Sequence, residues 1–111
     1  MQLIIDGNLY KVARITGPAH NMLGLEFLQK GDIGQLTIID LETEKPNKEI
    51  LTEDSIKAIV ISAIEEFNRE FKVDLRVKSI QFVSSDTPII DCYKELTREI
   101  AFNFINNMNS V

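Results

Sequence analysis

The stretch LTEDSIKAIVISAIEEFNREF, residues 51–71, is where the hydrophobic pattern of the chain changes from period two to period 3.6. Apolar residues recur here at steps of three and four, which is typical of an amphipathic helix. Thr52 suits an N-cap, and Leu51 and Ile56 have the spacing of a hydrophobic staple around it. The stretch therefore predicts a helix that begins after Thr52. Its apolar stripe consists of Ile56, Ile59, Val60, Ala63, Ile64, Phe67 and Phe71.

Residues 1–42 precede this helix, and their apolar and polar side chains alternate as in half-buried strands. Asp6 and Gly7 favour a type I′ hairpin turn between the first two strands. A joint at residues 16–21 separates the second strand from the third, and glycines at 31 and 34 precede the fourth. The predicted strands are residues 2–5, 9–15, 22–28 and 35–41.

Residues 75–83, after the helix, predict a fifth strand whose alternation changes phase near Ser79. A β-bulge would explain that change of phase. A second helix follows, with Thr87 as its expected N-cap and Pro88 at its first position. Its predicted buried stripe consists of Ile89, Tyr93, Leu96, Ile100 and Phe104.

The order of these elements is ββββαβα, and the chain has 111 residues, enough for one hydrophobic core. We therefore predict a single α+β domain over residues 1–111. In this domain, two helices pack on one face of a mixed, mostly antiparallel sheet. A strand–helix–strand connection between parallel strands is expected to be right-handed.

The composition limits the classes of function that the chain can have. Its net charge is −5, and its 12 Lys and Arg residues are scattered. Nucleic-acid binding needs clustered basic residues, so this partner is not expected. The amino terminus has no secretion-signal pattern, and no segment reaches the ~18 apolar residues of a membrane helix. With a single cysteine, Cys92, the pattern predicts a cytoplasmic protein without membrane contact or an internal disulfide.

His20 and Cys92 are the only histidine and the only cysteine, and they are the first candidates for catalysis or metal binding. A nucleophilic thiol needs a lowered pKa, but Cys92 lies beyond the first turn of its predicted helix and on its apolar side. Zinc needs four ligands, and the carboxylates beside Cys92 have no recognised ligand spacing. We predict no catalytic residue and no metal site, and interpret His20 as a turn residue beside Gly17 and Pro18.

No glycine-rich phosphate-binding motif is present, so no nucleotide or other cofactor is expected. Residues 40–54 are rich in carboxylates, but Lys45 and Lys48 interrupt them and no calcium-loop pattern appears. We interpret the segment as a solvated polar loop, and as a surface that a basic partner could contact. The carboxylates assigned to that surface are Asp40, Glu42, Glu44 and Glu49.

Three apolar residues lie away from the predicted buried stripes. Helical spacing places Ile61 at the edge of the polar face of the first helix, and Phe102 and Ile105 off the stripe of the second. Such residues can pack against another chain, or the rest of the domain can cover them. We take Ile61, Phe102 and Ile105 as candidate partner-binding residues.

Three functional hypotheses follow from these patterns. The first is a small acidic interaction module, for example an inhibitor or immunity-type protein that binds a basic partner through charge complementarity. The second is a structural homodimer or assembly subunit joined through the last helix. The third is a small enzyme or ligand-binding domain that uses His20, with Cys92 and Tyr93 near it.

Overall fold

The computed structural model describes residues 2–16, 19–29, 31–32, 34–42, 51–83 and 90–109. These residues form five strands and two helices in the order ββββαβα. The strands are β1 (Gln2–Asp6), β2 (Leu9–Thr16), β3 (Ala19–Phe27), β4 (Thr37–Asp40) and β5 (Val77–Phe82), and the helices are α1 (Glu53–Phe71) and α2 (Ile90–Asn109).

The strands form one mixed sheet with the spatial order β1-β2-β3-β5-β4. Its neighbouring strands are antiparallel except β4 and β5, which are parallel. Helix α1 packs against β4 and β5, α2 packs against β2 and β3, and the two helices contact each other. The predicted α+β fold, with a mostly antiparallel sheet and both helices on one face, is therefore confirmed.

The first hairpin differs in turn type from the prediction. Asp6 pairs with Leu9, so the two loop residues are Gly7 and Asn8. Gly7 has φ 60°, whereas among the described non-glycine residues only Lys72 has a positive φ. A positive φ at the first loop position alone is typical of a type II′ turn, whereas type I′ requires it at both. Glycine adopts a positive φ without steric strain, so Gly7 allows the chain to form this turn.

The second hairpin is tighter than the joint predicted at residues 16–21. Thr16 pairs with Ala19 and Ile15 pairs with His20, so β3 begins three residues earlier than expected. The interpretation of His20 as a turn residue is wrong, because its backbone belongs to a strand. The pairing of β2 with β3 includes His20 and Asn21, two polar residues that sequence reasoning assigned to a loop.

The fifth strand contains the irregularity predicted near Ser79. Glu26 pairs with Ser79 and Phe27 pairs with Val77, so Lys78 is the extra residue of a β-bulge. The bulge brings Val77 onto the same buried face as Ile80 and Phe82 further along β5. The Oγ of Ser79 donates a hydrogen bond of 2.8 Å to Glu26 on the opposite face.

Helix α1 begins with the predicted cap. The Oγ1 of Thr52 accepts a hydrogen bond from the N–H of Ser55 at 3.2 Å, and the Thr52 N–H donates to the Oγ of Ser55 at 3.1 Å. Leu51 and Ile56, the two residues of the predicted staple, are both buried in the core. At the other end, Lys72 adopts a left-handed conformation with φ 54°, and its N–H bonds to the carbonyl of Asn68.

The core lies between the sheet and the helices. Tyr93, Leu96 and Ile100 of α2 are fully buried, as their predicted stripe requires, and Phe104 is nearly so. The amide of Asn21 donates to the hydroxyl of Tyr93 at 3.2 Å within this core. The predicted start of α2, with Thr87, Pro88 and Ile89, lies outside the described residues. The third and fourth strands each end one residue earlier than predicted, at Phe27 and Asp40.

Over the described ranges, neither helix has the length and apolar composition needed to cross a membrane.

Candidate protein-binding surface

The two helices lie side by side and run in the same direction. The Nζ of Lys94 lies 2.9 Å from Glu66, and one turn further along both helices Arg98 lies 3.0 Å from Glu70. The hydrogen bond from Lys94 lowers the pKa of the Glu66 carboxyl below its ordinary value of 4.5, and nearby positive charges add to this effect. These pairs connect the two helices on the side where they face solvent.

An exposed aromatic pair, Phe71 and Phe102, follows these ion pairs, and we call it the aromatic patch. The ring centroids are 4.8 Å apart with an interplanar angle of 74°. Phe67 lies beneath, fully buried, with its centroid 4.6 Å from Phe71 and 5.2 Å from Phe102. The patch is therefore an ordered extension of the core to the surface, with both of its rings anchored on a buried one.

Arg98 borders the patch and connects it to the ion pairs. Its guanidinium carbon lies 5.9 Å from the ring centroid of Phe67 and 6.0 Å from that of Phe102, within the range of a cation–π interaction. The same guanidinium is paired with Glu70. Aromatic residues and arginine are enriched in protein–protein interfaces, so this combination has the chemistry of a binding surface.

The patch remains accessible although its residues are well packed. Phe71 is 39% exposed and Phe102 is 38% exposed. Phe71 was assigned to the apolar stripe of α1, and in the structure it is the exposed end of that stripe. Phe71 is the last residue of the helix, and the chain leaves it through Lys72 in a left-handed conformation. The rings of Phe67 and Phe102 cover part of the Phe71 ring.

Ile61 and Ile105 are both partly buried and packed against the core, so they are less available than Phe102. Ile61 lies ten residues before Phe71 on α1, about 15 Å along the helix axis. It contributes to a shallow open groove on the outside of that helix. The described residues lining the groove are Asp54, Lys57, Ala58, Ile61, Ser62 and Glu65.

The acidic surface predicted at residues 40–54 is described only in part. Asp40 is exposed at the end of β4, and its Oδ1 accepts a hydrogen bond of 3.0 Å from the N–H of Glu42. Glu44 and Glu49 lie outside the described residues, so their assignment to a contact surface stays a prediction.

Cys92 is only 5% exposed and packs in the core, as its helical position predicts, and it forms no disulfide. The backbone of His20 is in β3, and its side chain lies outside the described part of the chain. The hypothesis that these two residues act together therefore stays a prediction. In the ranges that the structure describes, no three His, Cys, Asp or Glu residues are grouped closely enough to hold a metal ion.

Two of the exposed apolar features that sequence reasoning missed are important for the proposals below. One is Phe71, which is the last residue of α1. A position at the end of a helix could have indicated that its ring is exposed. The other is β1, where Ile4 is 51% and Ile5 is 46% exposed. The run Leu3-Ile4-Ile5 was the signal there, because consecutive residues of a strand point to opposite faces and both faces are therefore apolar.

No known protein family, curated protein or solved structure matches this chain.

Proposed function

We propose that this domain is a non-enzymatic protein-interaction module that binds a basic protein through the aromatic patch. The observation that carries this proposal is the accessibility of Phe71 and Phe102, two rings that stay about two-fifths exposed while they pack on the buried Phe67. Rigid aromatic residues at a surface supply contact area at a small cost in conformational entropy. They are frequent among the residues that dominate binding energies.

The packing of the patch supports a binding role. Each ring contacts the other and a buried ring, and Arg98 is held in turn by Glu70. A partner would therefore meet groups that already have fixed positions, which reduces the ordering that binding requires. The contact would add apolar burial on the side of each ring that now faces solvent.

The charge of the chain supports a basic partner. A net charge of −5 attracts a positively charged protein over longer range than any single contact. Around the patch itself, carboxylates and basic groups form pairs, so the patch would contribute apolar contact and the overall charge would contribute steering. An inhibitor or immunity-type protein is one specific form of such a module.

Affinity capture from a lysate of the source organism tests this proposal. The baits are the wild type, Phe102→Asp and Met108→Asp, each at about 50 mM and about 500 mM salt, where screening differs strongly. Met108 is the matched control, because it is also on α2, is 62% exposed, and receives the same charge. We expect one basic protein to bind the wild type and Met108→Asp at low salt, and to be lost from Phe102→Asp.

Calorimetry with the purified partner then measures how much affinity each variant loses. We expect Phe102→Asp to weaken binding by about 30-fold or more, the loss typical of a central interface residue. Thermal unfolding shows whether the variant is folded, and Phe71→Asp serves as a second patch variant. Equal affinity for all baits would refute the role of the patch, and binding that does not weaken with salt would refute the electrostatic part.

A further inference from the structure

Strand β1 forms the edge of the sheet opposite β4. Strand β1 pairs with β2, and no other described strand or helix contacts it. Ile4 and Ile5 are each about half exposed, on opposite faces of the strand. A strand with an open edge carries backbone groups that another strand can bind through hydrogen bonds.

The register of the first hairpin shows which backbone groups of β1 face outward. The pair that closes a two-residue hairpin is hydrogen-bonded, and such pairs alternate with non-hydrogen-bonded pairs along an antiparallel ladder. Asp6 pairs with Leu9, so Asp6 and Ile4 direct their N–H and C=O groups toward β2. Leu3 and Ile5 therefore direct theirs toward the open edge.

Apart from the charged Asp6 at its end, β1 has few of the features that normally prevent strand pairing. Residues 2–6 are Gln-Leu-Ile-Ile-Asp, without lysine, proline or a bulge. The edge strand at the other side of the sheet, β4, has only four residues and is in contact with α1. The two edges are thus not equivalent, and β1 is the one that remains open to an additional strand.

We propose that β1 pairs with β1 of a second copy of this chain, antiparallel and about a two-fold axis through Ile4. In this register Leu3 lies opposite Ile5 of the second copy, and Ile5 lies opposite Leu3. These are the two positions whose backbone groups face the edge, so four hydrogen bonds join the chains. The two five-stranded sheets become one continuous sheet of ten strands.

The side chains of β1 fit the same register. Ile4 meets Ile4 of the second copy in the central non-hydrogen-bonded pair, where side chains approach most closely. The two Leu–Ile pairs are apolar and lie on the helix-bearing face. Asp6 lies opposite the uncharged Gln2 of the second copy, so no like charges oppose each other. A two-fold interface requires such self-complementarity.

The expected dimer is a weak one. A contact between two five-residue strands is smaller than the ~1,600 Å² of a standard interface. Its detection therefore requires sedimentation at concentrations up to about 500 µM, where micromolar association is complete. This contact is separate from the aromatic patch, so each proposal can fail without the other.

Sedimentation velocity of the wild type, Ile4→Lys and Ile39→Lys tests the proposal. Ile39 is the matched control, because it is an exposed isoleucine on the other edge strand. We expect twice the monomer mass for the wild type and Ile39→Lys, and the monomer mass for Ile4→Lys with an unchanged circular dichroism spectrum. A monomeric wild type, or a dimeric Ile4→Lys, would overturn the proposal.

Disulfide trapping tests the register without weakening the strand. Ile4→Cys places two thiols opposite each other at a Cα separation of about 4.5 Å, within the range for a disulfide. Gln2→Cys places them about 13 Å apart, four residues along the strand, where no disulfide can form. We expect covalent dimers under mild oxidation for Ile4→Cys and not for Gln2→Cys or the wild type. Equal yields from the two variants would contradict the register.

Discussion

The two ends of helix α1 are built differently. At the amino end, Thr52 and Ser55 satisfy each other's backbone N–H groups, and the flanking Leu51 and Ile56 are buried. At the carboxyl end, the final residue is the exposed Phe71, followed by a lysine in a conformation that favours glycine. The amino end has the residue types that helix starts prefer, whereas the carboxyl end has the backbone hydrogen bonds of a left-handed cap with a lysine where glycine is preferred.

If the aromatic patch binds a partner as proposed, this difference has a functional reason. Departures from local consistency are expected at functional sites, where selection for binding competes with selection for stability. The carboxyl end of α1 combines an exposed aromatic ring with a left-handed non-glycine residue, and it is the end that forms the aromatic patch. The amino end can be explained by stability alone.

The largest expected difference in the free energy of unfolding is between the variants Ile56→Ala and Phe71→Ala. Ile56 is fully buried, so its truncation leaves a cavity and should lower the free energy of unfolding by about 2–5 kcal/mol. Phe71→Ala removes a larger side chain but mainly loses partial ring contacts, and should cost about 1 kcal/mol. Urea unfolding measures both. A loss for Phe71→Ala as large as that for Ile56→Ala would mean that the patch is structural.

Thr52→Ala should have an intermediate effect. It removes the acceptor for the N–H of Ser55 and should lower the free energy of unfolding by about 1 kcal/mol. Thr52→Ser, which keeps the hydroxyl, is the control and should stay close to the wild type. Thermal unfolding compares the two variants, and equal melting temperatures would show that the capping box contributes little.

The smallest expected effect has the opposite sign. Lys72→Gly should raise the free energy of unfolding by about 0.5–1 kcal/mol, because glycine adopts a positive φ without steric strain. Lys72→Ala separates this conformational effect from the loss of charge, and should give no gain. If both variants were equally stable, the left-handed residue would not be a source of strain.

Sequence patterns predicted the order of elements, the cap at Thr52 and the bulge near Ser79, because each depends on neighbours within a few residues. They misjudged the second hairpin, where pairing with β2 extends β3 to Ala19 despite its polar residues. The strand order was not predictable, since it depends on contacts between β3 and β5 that are distant in sequence.

The candidate surface was predictable only in part. Helical spacing identified Phe102 as lying off the buried stripe, and its exposure of 38% agrees with that placement. The same reasoning did not identify its neighbour Phe71 as exposed. Helical spacing shows on which face of the helix a residue lies, but it does not show how far along the helix the rest of the domain covers that face. Ile61 and Ile105, which were also predicted to lie off the buried stripes, are partly buried against the core, and their role in binding stays a prediction.

The parallel pairing of β4 with β5 has a consequence for synthesis on the ribosome. Strand β4 ends at residue 40, whereas β5, its only partner among the described strands, begins at residue 77. The hairpins of β1, β2 and β3 can form as soon as they emerge, because their contacts are local. Strand β4 must instead wait, unpaired, until α1 and then β5 have been made, so the sheet is completed in an order different from that of translation.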